Sequence, residues 1–340
     1  MYSWRYVYAP SPRSGPVAAV STLELAHANL TSPIVLAFVL GAIATLVRSD
    51  LRLPAAVTSG LSIYLLLAIG LKGGVELSQS SPGELWLPAL VTLGIGVGTP
   101  IVAYAVLRSG LLRFGVADAA ALAAHYGSVS AVTFTATLAF LASINIAAEG
   151  FMTTLLTLLE IPAIVVALLI ARTRSADGGS IGEATREILA GKSILLLVGG
   201  VLIGLAAGKE RFAPVEPVFV DAFKGLLVLF LLDLGMTAAK RLRDVRTVGP
   251  RLIAFAVAMP LVNGTAGVAL GTAAGLSLGG ATVLGVMAAS ASYIAAPAAV
   301  RIALPDANPS LYLTASLGIT FPLNLALGIP LFHEIAKQLQ

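Results

Sequence analysis

The hydrophobic pattern of this chain consists of long apolar runs separated by short polar stretches. None of the runs alternates apolar and polar residues with the period of two that is typical of a transmembrane β-strand. Because a backbone in lipid must satisfy its polar groups internally, runs of this length predict membrane-spanning helices. The ten predicted segments lie at about 33–47, 54–71, 88–107, 118–143, 150–171, 192–207, 217–238, 250–273, 280–303 and 310–336.

Segments four and nine carry polar residues near their middle. In segment four the polar stretch is "HYGSVS" at 125–130, and in segment nine it is "SASY" at 290–293, followed by Pro297. Gly and Pro weaken a helix and free backbone groups that then need partners. We therefore predict that both helices are interrupted. The alternative is that these small residues only allow helices to pack closely.

The two halves of the chain resemble each other at offsets of 165, 162 and 160 residues. The matching pairs are "IGL" (69–71) with "LGM" (234–236), "GSVSAV" (127–132) with "ASASYI" (289–294), and "EIPAIVVALLI" (160–170) with "TFPLNLALGIP" (320–330). Each half has five predicted spans, so the second half must run opposite to the first. The pattern predicts an all-α integral membrane protein with ten transmembrane helices in a five-plus-five inverted repeat, an architecture of secondary transporters.

Four regions follow from this division of the chain. They are a polar N-terminal lead-in (1–32), the first five-helix repeat (33–171), a cytoplasmic linker (172–191) and the second, inverted five-helix repeat (192–340). Most Lys and Arg residues fall in the loops on the same side as the linker. This bias predicts a multi-pass protein of the inner (plasma) membrane with both termini outside, in the periplasm.

Composition supports the membrane assignment and excludes several classes of function. The chain is 57% hydrophobic and 11% charged, whereas a soluble domain carries roughly 25% charged residues. It has no cysteine, which excludes disulfides, thiolate catalysis and cysteine-ligated metals. The basic pI near 9.4 reflects the cytoplasmic loops rather than nucleic-acid binding. An intramembrane protease is disfavoured because the sequence has no second acidic motif for one.

The two interrupted segments are expected to form one binding site. Small hydroxyl side chains and the N–H groups at half-helix N-termini suit a small anion. His125, in the same stretch, is either a buried hydrogen-bonding residue or a proton-coupling group. The predicted substrate-binding residues are Gly127, Ser128, Ser130, Ser290 and Ser292.

Polar and ionisable residues inside the apolar segments are candidates for coupling. Glu160 precedes a proline in segment five, and its repeat counterpart is Thr320, with Asn324 nearby. These three residues are predicted to bind a cation; the alternatives for Glu160 are proton cycling or a position at a helix end. Lys72 and Asp233 form a possible charge pair, or Lys72 substitutes for the cation. The alternative for Lys72 is that it snorkels to the interface.

Several stretches resemble the sodium-dependent bicarbonate transporters first recognised in cyanobacteria, the SbtA-like permeases. They include "FKGLLVLFLLDLGM" (223–236), "AASASYIAAPAAVRIALPDANPSLYL" (288–313) and "GSVSAVTFTATL" (127–138). The resemblance implies a homotrimer in which a scaffold or gate domain supports a mobile core. It also implies that bicarbonate and sodium bind where the interrupted helices meet, with no other cofactor, and that a PII-like regulatory protein is a possible cytoplasmic partner.

The chain departs from that family at a few positions, which indicates a divergent, non-cyanobacterial-type member. Tyr293 stands where the family has Asp, Lys72 stands where it has a neutral residue, and Glu160 is one methylene longer than the usual Asp. The function expected from this resemblance is a secondary active transporter that imports bicarbonate with sodium by alternating access. The alternative is a carrier of another small, carboxylate-type anion that is proton-coupled or uncoupled. Neither is an enzyme.

Overall fold

The computed structural model of the protein describes residues 27, 29–174, 186 and 190–340. Most of the predicted lead-in and of the predicted linker lies outside the described residues. Within the described residues the secondary structure is helical, without β-strands. The helices are α1 (Pro33–Leu46), α2 (Ala55–Leu77), α3 (Pro82–Arg108), α4 (Val116–Gly127), α5 (Ala131–Ser143), α6 (Met152–Arg174), α7 (Lys192–Phe212), α8 (Phe223–Val248), α9 (Pro250–Ala273), α10 (Leu278–Ala289), α11 (Ala295–Ala303) and α12 (Pro309–Leu339).

Length and composition make this a multi-pass membrane protein. Besides the six long stretches given below, two helices of fewer than 18 residues, α1 and α10, are apolar. Each predicted apolar segment overlaps one of these helices or a pair of them, and segment seven begins in the π turn Pro217–Asp221 that precedes α8. Among the described residues, six helical stretches are long and apolar enough to cross a membrane: Ala55–Leu77, Gly83–Arg108, Val116–Ser143, Met152–Ala171, Pro250–Ala273 and Pro309–Leu339.

Several helices extend beyond the predicted apolar segments, because they continue into polar sequence. α2 ends at Leu77 instead of 71, and its added turns include Lys72 and Glu76, whose side chains lie 3.7 Å apart, one helical turn from each other. α8 ends at Val248 instead of 238 and includes a run of basic residues. Hydropathy marks where a helix faces lipid, whereas the helix itself ends only where its backbone hydrogen bonds end.

Side-chain caps fix where several helices begin. The Ser277 hydroxyl accepts a hydrogen bond from Gly280 N at 3.2 Å and begins α10. The Asn308 side chain accepts one from Ser310 N at 3.0 Å and begins α12. Each cap satisfies one of the N–H groups that lack a partner inside the helix.

The helices pack in two groups. In the first group, α1 lies along α8 and α2 lies along α7. The second group contains α3 to α6 and α9 to α12, with α3 against α4 and α6, and α9 against α10 and α12. Contacts between α8 and α12 and between α2 and α6 join the two groups.

Glycines allow the close approach of helices in the first group. A Cβ atom on Gly41 of α1 or on Gly235 of α8 would overlap a backbone carbonyl of the facing helix. The same is true of Gly74 in α2 and Gly204 in α7. Small residues are the usual means by which helices approach in lipid, where no hydrophobic force drives them together.

We predict that Gly74→Ala destabilises the protein by about 1–3 kcal/mol, because the added methyl group overpacks the contact between α2 and α7. The measurement is the thermal unfolding midpoint of the purified protein in detergent. The matched control is Gly94→Ala in α3, where an added Cβ meets no atom within 4 Å. Equal midpoints for the two variants would contradict the proposed close contact.

Candidate functional site

The polar stretches of segments four and nine interrupt their helices, as predicted. α4 ends at Gly127 and α5 begins at Ala131. Ser128 and Ser130 between them have extended backbone conformations, with φ/ψ of −85°/177° and −103°/110°. In the second half α10 ends before Ser290, which is also extended, and α11 begins at Ala295. We call residues 128–130 and 290–294 the first and second breaks.

The two breaks contact each other directly. The Ser290 hydroxyl accepts a hydrogen bond from Ser130 N at 2.9 Å. Ser292 N donates to the His125 carbonyl in the last turn of α4 at 2.8 Å. The Ser130 hydroxyl also bonds to the Tyr293 hydroxyl at 3.1 Å. Residues about 160 positions apart therefore come together. Backbone N–H groups in each break find their hydrogen-bond acceptors in the other half of the chain.

The four serines of the predicted site are buried, and all of them make hydrogen bonds. Ser290 donates to Met287 O at 2.8 Å, and Ser128 donates more weakly to the Glu160 carbonyl at 3.4 Å. The Ser130 and Ser292 hydroxyls accept bonds from backbone N–H groups in the first turns of α5 and α11. In this conformation the serines therefore serve as caps and as ties between the breaks.

The three predicted cation-binding residues lie beside the breaks. Thr320 Oγ1 is 2.7 Å from the Tyr126 hydroxyl in the last turn of α4 and donates to a carbonyl of α9 at 2.8 Å. The Asn324 side chain donates to Ala289 O, at the end of α10, at 2.8 Å. Glu160 of α6 is 5% exposed, and its Oε2 atom lacks a hydrogen-bond partner among the described residues. A buried carboxylate oxygen without a partner is costly, so this atom is suited to receive a ligand.

α12 carries Thr320 and Asn324 in an unusual part of its helix. Residues Thr314–Thr320 and Asn324–Gly328 form π turns. Such turns are rare and are frequent at functional sites. Thr320 therefore ends one π stretch and Asn324 begins the next, and both side chains face the broken helices.

Tyrosines complete the site, and the sequence did not single them out as binding residues. The Tyr126 hydroxyl contacts Thr320, and the Tyr293 hydroxyl contacts Ser130. Both lie within the polar stretches of segments four and nine, which was the signal that could have identified them. His125 makes a buried hydrogen bond, as the first of its two predicted roles requires: Nδ1 is 2.7 Å from Ala121 O, and its ring stacks on Tyr312. Its Nε2 atom lacks a hydrogen-bond partner among the described residues.

A small cavity adjoins the first break. Its lining is mostly apolar, and its hydroxyl groups come from Ser62 of α2 and Thr135 of α5. The lining also includes Ala131 and Val132 in the first turn of α5, Leu227 and Phe230 of α8, and Ile294 of the second break. The cavity therefore lies where the broken helices meet the first helix group.

The predicted pairing of Lys72 with Asp233 is not formed. The Lys72 ammonium lies 3.7 Å from Glu76 on the same helix, and its side chain is 47% exposed. Asp233 interacts instead with Thr58 and Lys240. Because the serines of the breaks are buried, a half-exposed ammonium that is already paired does not fit the role of a substitute cation. The sequence suggested the pair because both residues are flanked by apolar positions. It does not show which neighbouring helix each side chain faces.

The ends of four helices meet at the two breaks. α5 and α11 begin there and contribute partial positive charge, while α4 and α10 end there and contribute partial negative charge. N-termini of this kind bind anions, and carbonyl-rich C-termini bind cations. The arrangement can therefore hold an anion and a cation next to each other inside the membrane.

Comparison with known protein families identifies the family of this chain. Residues 33–337 match the Na+-dependent bicarbonate transporter superfamily, which covers nearly the whole chain. No curated protein sequence matches the chain.

We predict that Ser290→Ala lowers the stability of the protein by about 1–3 kcal/mol, because it leaves the buried N–H of Ser130 without an acceptor. Thermal unfolding in detergent measures this loss. Ser143→Ala serves as the control, since the Ser143 hydroxyl donates only to Phe140 O within its own helix. If both variants unfold at the same temperature, the bond between the breaks does not contribute to stability.

Proposed function

Because the chain belongs to the Na+-dependent bicarbonate transporter superfamily, we propose that it imports bicarbonate together with sodium by alternating access. Membership in this family makes it a membrane permease and not an enzyme. The observation that carries the proposal is the direct contact between the two breaks, since this brings four helix ends to one buried place. A charged substrate crossing lipid needs such a place, because isolated charge is costly there.

In this proposal the anion lies at the N-termini of α5 and α11. The serines and Gly127 border that position, and N–H groups of the first helical turns are the donors that a carboxylate-like anion needs. The bond between the Ser130 and Tyr293 hydroxyls is weak enough, at 3.1 Å, to be exchanged for a bond to the anion. The residues proposed to contact bicarbonate are Gly127, Ser128, Ser130, Ser290 and Ser292.

The sodium ion is proposed to lie among oxygen atoms on the opposite side of the breaks. Hard cations prefer carboxylate, carbonyl and hydroxyl oxygens as ligands. Glu160 offers a buried carboxylate oxygen that lacks a partner among the described residues, and α4 and α10 end with carbonyl groups. Thr320 and Asn324 hold the ends of these helices by hydrogen bonds and are proposed to complete the cation site.

We further propose that the chain is a ten-span inverted repeat with both termini outside the inner membrane. The glycine contacts of the first helix group support the repeat, and the bias of Lys and Arg in the loops supports the orientation. Gly41 faces α8 and Gly204 faces α2, and exchange of the two halves converts one contact into the other. Gly41 and Gly204 are 163 positions apart, and Gly74 and Gly235 are 161 apart, close to the offsets of the sequence repeat.

The two helix groups are proposed to act as the scaffold and the mobile core of a homotrimer. All four broken half-helices belong to the second group, so the site would move with that group. Regulation by a PII-like protein on the cytoplasmic face remains a prediction from the family resemblance, because most of residues 172–191 lies outside the described part of the chain.

One observation favours the alternative, a small carboxylate-type anion carried without sodium. Tyr293 occupies the position where the resembled family has Asp, and its hydroxyl bonds to Ser130. A neutral phenol in that position removes one negative charge from the site. The cation is then held by fewer charges, and coupling to sodium is the property that this change would weaken.

We predict that purified protein in liposomes takes up labelled bicarbonate under an inward sodium gradient, and that Glu160→Ala lowers the initial rate about tenfold or more. The expected loss follows from removal of the one carboxylate proposed to bind the cation. The measurement compares sodium with choline as the external cation. Glu84→Ala is the control, because Glu84 is an exposed carboxylate in the first turn of α3.

The outcomes separate the candidate functions. Uptake that requires sodium and is lost in Glu160→Ala supports the proposal. Uptake that is the same in choline retains bicarbonate as substrate and rejects sodium coupling. If folded protein takes up no bicarbonate, bicarbonate is rejected, and labelled small carboxylates are tested with and without a proton gradient.

A further inference from the structure

Two hydrogen bonds link the halves of the chain far from the breaks. Asp118 Oδ1, in the first turn of α4, accepts a bond from Asn308 N at 2.8 Å. Glu149 Oε1, in the loop after α5, accepts a bond from Ser277 N at 2.5 Å. In both cases a carboxylate receives the backbone N–H of a residue that caps a helix, since Asn308 begins α12 and Ser277 begins α10.

The sequence repeat relates these two bonds to each other. Asp118 and Ser277 are 159 positions apart, and Glu149 and Asn308 are also 159 positions apart. Exchange of the two halves therefore converts one bond into the other, with the carboxylate and the N–H group interchanged. The same contact is made twice although the residue types at equivalent positions differ.

The two bonds lie at the outer ends of the half-helices α4 and α10, whose inner ends are the breaks. At the inner ends, His125 O of α4 is bonded to Ser292 N, and Ser290 at the end of α10 is bonded to Ser130 N. Each half-helix has 12 residues and is about 18 Å long. Both helices are therefore tied at each end to the other half of the chain.

Local sequence is adapted to the Glu149 bond. A Cβ atom on Gly280 would overlap the Glu149 carboxylate, and one on Gly279 would overlap the Ala147 carbonyl. The first turn of α10 thus lacks the side chains that would prevent close contact with the loop after α5. Capping alone does not account for the two carboxylates, because Ser277 and Asn308 already cap their helices with their own side chains.

We propose that Asp118 and Glu149 are positioning residues that fix the orientation of α4 and α10 and thereby hold the two breaks in contact. A short helix that is tied at one end can pivot about that end. The outer bond removes this freedom. It therefore fixes the positions of Ser128 and Ser290, which lie at the other ends of the two helices, about 18 Å from the carboxylates. Neither carboxylate touches the site itself.

The test is hydrogen–deuterium exchange of the purified full-length protein in detergent, followed by mass spectrometry of peptides that contain the breaks. In Asp118→Ala and Glu149→Ala, amide exchange within 128–130 and 290–294 is expected to be about tenfold faster, as for the loss of one charge-assisted hydrogen bond. Asp118→Asn and Glu149→Gln keep an acceptor oxygen and should recover most of the protection. Glu84→Ala, which removes a carboxylate from the first turn of α3, should exchange like the unchanged protein.

Faster exchange confined to the loops and first turns next to residues 118 and 149 would overturn the proposal, because the carboxylates would then act only locally. If the alanine variants unfold, Asp118→Glu and Glu149→Asp replace them. These variants keep the charge but move it by one methylene group. Faster exchange at the breaks in these variants supports the proposal, and unchanged exchange there overturns it.

Transport gives a second readout, which rests on the proposed function. The initial rate of bicarbonate uptake should fall about tenfold in each alanine variant and recover in the Asn and Gln variants, in parallel with exchange at the breaks. The exchange experiment does not depend on the substrate. If the unchanged protein takes up no bicarbonate, the proposed function fails while the positioning role is still decided by exchange.

Discussion

The structure depends on the need to satisfy every backbone polar group in a medium that offers no water. A continuous helix meets this need by itself, but a broken helix does not. This chain breaks two helices inside the membrane and satisfies each break with groups from the other. The bonds from Ser130 N to Ser290 and from Ser292 N to His125 are therefore a condition for having a polar site at this depth. Once the breaks are paired, four helix ends with opposite partial charges are held together.

The sequence predicted the features that leave a compositional signal and missed those that depend on orientation. Polar residues within apolar segments marked both breaks, because each unpartnered polar group is costly there. The repeat predicted that the two polar stretches form one site, although the sequence could not show that the Ser290 hydroxyl bonds to the Ser130 amide. Lys72 and Asp233 were paired only because both interrupt apolar runs. The direction in which a helix residue points is known only when the helices packed around it are known.

The carboxylates at the outer ends were invisible to the sequence for a different reason. Asp118 and Glu149 lie near the ends of apolar segments, where charged residues are expected to face water. Their partners are backbone N–H groups, which every residue except proline carries, so no residue type reveals the contact. Contacts of this kind are found only when the structure brings distant parts of the chain together.

The π turns of α12 have a consequence for how much change this helix tolerates. A turn of this type contains an additional residue, and each residue of an α-helix rotates the chain by about 100°. Before the first π stretch, Tyr312 stacks on His125; at its end, Thr320 reaches Tyr126. The angle about the helix axis between Tyr312 and Thr320 is thus set by the number of residues between them. Loss of one residue there would turn Thr320 and Asn324 away from the broken helices without altering either side chain, so the length of this segment matters as well as its residue types.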